Sequence, residues 1–182
     1  MAATARAPRD TWIEEGLRAL AAGGPDAVRV DVLAKTLEVT RGSFYWHFKN
    51  REALLEALLE TWEEKGADQV IARIEAEGID ARDKVRLLGT LVPLSPLMPV
   101  ELAIRDWARR DPAVAERLRR VDNRRMGYLR TLFSSFCPDP GDVEARSMLA
   151  FSLAIANQSV AANHNTHSRA EVLALATRHL LI

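Results

Sequence analysis

The stretch from Val30 to Lys49, VDVLAKTLEVTRGSFYWHFK, decides how the rest of the chain reads. Leu33, Ala34 and Leu37 recur at helical spacing, so a helix is expected over about 31–37. A tight turn follows, and a second short helix starts near Thr40, whose hydroxyl is placed to cap its first turn. Within that second helix Phe44 and Phe48 stand four apart and share one face, which plugs a small core. Arg41, Tyr45 and Lys49 share another face, left for an outside partner. Two short helices around a tight turn, the second aromatic and basic, are the layout of a helix-turn-helix, in which the second helix enters the major groove of duplex DNA.

Working outward, helical periodicity dominates and no run alternates apolar and polar residues as a strand would. The expected fold is all-α. A first helix covers about 9–22, with Trp12, Ile13, Leu17 and Leu20 as its buried stripe, and Gly23-Gly24-Pro25 ends it. A long helix starts near Arg51 and runs into the seventies, with Leu54, Leu55, Leu58, Leu59 and Trp62 on its apolar side. Further helices are expected at about 81–91, 99–110, 112–136, 141–163 and 168–180. The division that follows is an N-terminal three-helix domain, residues 1–50, joined by the long helix to a C-terminal helical domain, residues 51–182.

With 182 residues, 48% of them hydrophobic and 27% charged, the chain is long enough to bury a proper core. A formal net charge of zero sits oddly with binding a polyanion, but the local balance is different. Between Arg29 and Arg51 five cations (Arg29, Lys35, Arg41, Lys49, Arg51) face two anions (Asp31, Glu38), a local surplus of three positive charges. The stretch 87–104 is broken by Pro93, Pro96, Pro99 and Glu101, so no bilayer-spanning helix is expected there. The opening MAATARAPRD lacks the apolar run of a secretion signal and reads as a disordered arm. The lone Cys137 fits a small core residue in a reducing compartment. Cytoplasmic residence is the expectation.

The string LAKTLEVTRGSFYWHFKNREALL, within residues 27–55, resembles the tetracycline-repressor (TetR) family of bacterial transcriptional regulators. Leu33-Ala34, Val39-Thr40, Gly42-Ser43, Phe44-Tyr45, His47-Phe48-Lys49 and Leu54-Leu55 all stand at that family's spacing; AIRDWARRDPAVAERLRRVDNRRMGYL further on resembles one branch of it. The resemblance implies a DNA-reading N-terminal domain, a C-terminal effector cavity and a homodimer sealed by the last two long helices. The DNA-facing residues it implies are Arg29, Thr40, Arg41, Gly42, Ser43, Tyr45, Trp46, His47 and Lys49. A base contact falls to Arg41, since guanidinium pairs bidentately with guanine. Phosphate contacts fall to Thr40, Ser43, Tyr45, His47 and Lys49. Two positions depart from the family pattern. Glu38 replaces the usual turn glycine and must take a left-handed backbone or bend the turn differently. Arg29 replaces a capping threonine.

Large apolar side chains with one amide are the candidate effector contacts: Trp62, Leu88, Leu91, Leu94, Met98, Leu102, Trp107, Met126, Leu129, Phe133, Phe151, Ile155 and Gln158. Taken singly, each is more simply core packing; together they suit an apolar or aromatic small molecule. Small residues between Ala145 and Ala162 and the stripe Val172, Leu173, Leu175, Ala176 and Leu180 suit a four-helix seam between two copies. The arginine series Arg105–Arg125 is interleaved with acids and reads as a solvated face held by ion pairs. His164 and His167 would approach each other if helix continued through them, but no third ligand is near, so no metal and no cofactor are expected. No nucleophile triad, phosphate loop or HExxH motif is present, and no enzymatic activity is expected. The remaining alternative is a helical dimer that binds a small molecule or protein without sequence-specific DNA binding.

Overall fold

A computed structural model describes residues 7–182, and the regular structure among them is entirely helical. The N-terminal arm expected over 1–10 falls mostly outside the described residues. The order is α1 (Arg9–Gly23), α2 (Val30–Thr36), α3 (Arg41–Tyr45), α4 (Arg51–Glu63), a π-helical turn (Glu64–Asp68), α5 (Gln69–Ala76), α6 (Ala81–Leu91), α7 (Met98–Ala108), α8 (Pro112–Ser134), α9 (Pro140–Ala156) and α10 (Arg169–His179). No helix among the described residues is long and apolar enough to cross a membrane.

The described residues form two compact units. The first takes the chain up to Gly66 together with Pro99–Leu118. Its core gathers Trp12, Leu20, Val28, Leu33, Phe44, Leu54, Leu58, Trp62 and Ile104, all fully buried. Trp12 meets Phe44 edge-on at 5.3 Å, and Phe44 stacks with Phe48 at the same separation. Helices α1 and α4 approach so closely that a Cβ on Gly16 would fall 2.9 Å from a Leu58 methyl, which accounts for glycine in the middle of a helix. Asn50 caps α4 by accepting from the Ala53 amide at 2.9 Å.

The second unit, Ala67–Met98 with Arg119–Ile182, is built around Val85, Met126, Leu129, Leu132, Phe133, Cys137, Val143 and Leu181, with Phe136 and Phe151 packed against them. Cys137 is the small core residue expected; burial, followed by a hydrogen bond to Asp142, pushes its thiol pKa up. A complete capping box at Ser168 and Glu171 starts α10.

Three expected boundaries move. The long helix from Arg51 is widened by the π turn at Glu64–Asp68 before it continues as α5. The second helix of the helix-turn-helix, expected to run to Lys49, ends at Tyr45. Helix α9, expected to reach residue 163, stops at Ala156: a short 3₁₀ turn follows, and the Arg169 guanidinium donates to the carbonyls of Asn157 and Val160, supplying partners the helix would otherwise need from further turns. Val160, Ala161 and Ala162 therefore lie off the helix on which a seam was expected. His164 and His167 also lie outside regular helix, which removes the geometry that would have paired their rings. No group of three His, Cys, Asp or Glu among the described residues is placed to hold a metal ion.

Candidate nucleic-acid interface

Helix α2 ends in a hydrogen-bond pattern that fixes where α3 points. The Val39 amide reaches back to Ala34 O at 3.0 Å and the Glu38 amide to Lys35 O at 3.2 Å, with Glu38 at φ 54°. These paired bonds are a Schellman closure, and the left-handed residue they require is Glu38. Of the two outcomes expected at this position, the left-handed backbone is the one found. Thr40 is extended, and α3 then opens with the Ser43 amide bonded to Thr40 O at 3.0 Å. The Thr40 hydroxyl does not cap α3, contrary to expectation, because the backbone carbonyl does that work.

Phe44 is fully buried and Phe48 nearly so, which anchors α3 from behind. Thr40, Arg41, Gly42, Tyr45, Trp46 and Lys49 are exposed, with Tyr45 at 56% and Trp46 at 68%. A Cβ on Gly42 would meet only the Thr40 hydroxyl, at an ordinary 3.6 Å. Nothing inside the protein demands glycine there; its bare backbone faces outward.

Two of the residues expected at the interface are placed differently. Ser43 is 5% exposed and its hydroxyl has no hydrogen-bond partner, so it belongs to the back of α3 rather than to its exposed face. His47 is half-buried, and its Nε2 lies 2.9 Å from the Ala7 carbonyl; since a carbonyl only accepts, Nε2 carries the proton, and the ring ties the chain before α1 to the end of the α3 region. Arg29, at the start of α2, pairs with Asp31 at 3.0 Å, both largely exposed, and offers no side-chain cap.

Nothing in the local pattern of residues points to what Arg51 does. Counted there as a surface cation, it turns inward: its Nε donates to Val28 O at 2.7 Å and its Nη2 to Pro25 O, clamping the loop before α2 to the first turn of α4. The exposed cations left around α2 and α3 are Arg29, Lys35, Arg41 and Lys49.

The candidate effector residues divide between the units. Met126, Leu129 and Phe133 come together in the second unit's core with Phe151 against them; Leu91 and Ile155 are half-buried there, and Met98 is buried. Gln158 is exposed and spends its amide on Pro93 O at 2.9 Å. Trp62, Leu102 and Trp107 belong to the first unit. There the Trp62 indole donates to Glu101 Oε2 at 2.7 Å, and Arg105 pairs with the same carboxylate at 2.8 Å. Glu101, only 3% exposed, was legible in the sequence merely as an interruption of an apolar stretch.

Residues 13–58 match the family model for bacterial regulatory proteins of the tetR family. That match takes in the helix-turn-helix and the first turns of α4. Over 52 residues it is 42% identical to the class G tetracycline repressor protein of Vibrio anguillarum, covering 29% of this chain, and it spans 25% of that relative's length. Over most of the chain the similarity is one of fold. A structure of the Bacillus subtilis transcriptional regulator FadR in complex with stearoyl-CoA shares 17% identity at a TM-score of 0.71, with 95% of this chain and 97% of that one covered. A Rhodococcus sp. structure described as a TetR-family transcriptional regulator shares 26% identity at a TM-score of 0.60, covering 95% and 94%.

Proposed function

We propose that this chain is a TetR-family, ligand-responsive transcriptional regulator, acting as a homodimer on a palindromic operator and repressing until a small apolar or aromatic effector releases it. One observation carries the reading: α3 turns Arg41, Gly42 and Tyr45 outward while Phe44 fixes it from behind. In this reading residues 1–50 read DNA, and residues 51–182 bind the effector and dimerise. Arg41 pairs with a guanine edge, Gly42 lets the sugar-phosphate backbone approach, and Thr40, Tyr45, Lys49 and Arg29 hold phosphates, with Trp46 beside them. Ser43 and His47 act from behind, as packing and tether. Exposed Met148 and Leu149 on α9 and Leu175 on α10 support a seam with a second copy. The cluster around Met126, Leu129, Phe133 and Phe151 supports an apolar effector. An effector weakens operator binding only to the extent that it prefers the non-binding conformation.

Selection from a random duplex pool tests the proposal. The expected outcome is a symmetric consensus whose half-sites are separated by about one helical turn, roughly 34–36 Å. Arg41→Ala combined with Tyr45→Ala is expected to lower affinity for that consensus about 100-fold, and Gly42→Ala about tenfold, with melting temperatures unchanged. An asymmetric or absent consensus, or a double variant that binds like the parent, overturns the reading.

A further inference from the structure

A cleft of about 470 Å³ lies between α6 and α10 in the second unit. That is within the range of small-molecule sites, about 300–1,000 Å³. The two helices run antiparallel: Arg82 Nη1 donates to Leu181 O at 2.8 Å, and further along α6 a Cβ on Gly89 would fall 2.7 Å from the Thr177 hydroxyl. This register gives the cleft a polarity. Arg86 and Arg178 share one end, Leu94 and Leu173 the other, and the hydroxyls of Thr90 and Thr177 lie between. No Asp or Glu lines it. Arg178 has no salt-bridge partner among the described residues, while Arg86 is held to Asp83 on its own helix.

We propose that this cleft binds a small amphiphile, an anionic head group on an apolar chain. The head pairs with the Arg178 and Arg86 guanidinium groups, whose forked donors match carboxylate and phosphate alike, and the tail lies along Leu173 toward Leu94. Of the candidate effector residues only Leu94 lines the cleft, so this site stands or falls separately from the cluster around Met126, Leu129, Phe133 and Phe151. Leu175 borders the cleft and is also a candidate for the seam between copies, which makes a second copy of the chain the rival occupant.

The test is calorimetric titration of the full chain with decanoate kept below its micelle concentration, beside decyl phosphate and uncharged decanol, with sedimentation under the same conditions. Expected is saturable binding of one anion per chain, about tenfold weaker for decanol. Arg178→Glu is expected to weaken both anions about tenfold while sparing decanol. Ala174→Trp, which fills the trough from an exposed position, is expected to abolish all three. Leu94→Trp, at a residue 76% exposed, replaces it should the first substitution lower the melting temperature. A preference for decanoate over decyl phosphate, or the reverse, identifies the head group. Three results overturn the proposal: no saturable binding, binding unchanged by both Arg178→Glu and the filling substitution, or binding that emerges only as the chain dissociates to monomer, which assigns the cleft to a second copy.

Discussion

Glu38 holds a backbone conformation that suits glycine, at the position where α2 must stop and α3 must be aimed. A left-handed conformation costs a residue with a Cβ about 1–2 kcal/mol, of which glycine returns part through its freer unfolded chain. Glu38→Gly is therefore expected to stabilise the protein by about 0.5–1 kcal/mol, raising its melting temperature by a few degrees, with DNA affinity unchanged because the Schellman bonds come from the backbone. A melting temperature that falls would show that the carboxylate makes a compensating interaction. The same few residues mark what sequence reading reaches at this scale. Phe44 and the outward pair Arg41 and Tyr45 were legible from spacing alone, because a helical period assigns faces; Phe48 is buried and Lys49 exposed as expected, although α3 ends before either. Ser43 was not legible: a small hydroxyl is chemically suited to either face, and only packing decides. Nor was the tether from His47 to Ala7, which joins residues forty apart in the chain.

At the scale of elements, helix positions were legible and their ends less so. Capping by Asn50 and Ser168 and the breaks at Gly23-Gly24-Pro25 are local signals, written within a few residues of the boundary they set. The stop of α9 at Ala156 depends instead on a guanidinium from Arg169, beyond the reach of a local pattern. Arg51 is a similar case, joining α4 to the loop before α2 through two carbonyls. Arg51→Ala is expected to destabilise the first unit by about 2–3 kcal/mol, since both carbonyls lose a charged donor. Arg51→Lys should recover little of this, because an ammonium cannot reproduce the fork. Chemical denaturation of the three proteins measures it; a lysine variant as stable as the parent would mean that charge alone suffices.

Across the whole molecule, a net charge of zero conceals pairing that stabilises the second unit. Lys84 and Tyr128 hold the Glu75 carboxyl below its usual pKa, Arg130 does the same to Glu144, and Cys137 and Arg146 to Asp142. Carboxylates with lowered folded pKa values contribute stability above their unfolded pKa, near 4, and lose it as pH falls through the lowered folded values. These groups are solvent-accessible, so the contribution is modest and screened by salt. Melting temperature followed into acid is expected to fall below about pH 4.5 more steeply for the parent than for Arg130→Gln; a gap between the two that stays constant with pH would remove Glu144 as a source. This pairing was visible in the sequence only as interleaved signs, since partners such as Arg124 and Asp68 come from distant stretches of chain. The π turn at Glu64–Asp68 bears on the chain's tolerance to changes in length. Buried positions recur four apart from Leu54 to Leu58 to Trp62, then five apart to Ala67 across that wide turn, and two ordinary turns later at Ile74. The looser winding takes up one residue more than an ordinary turn, so excising a single residue here would leave an unbroken α-helical rod, whereas the same excision within α4 would swing the rest of that helix's side chains round by about 100°.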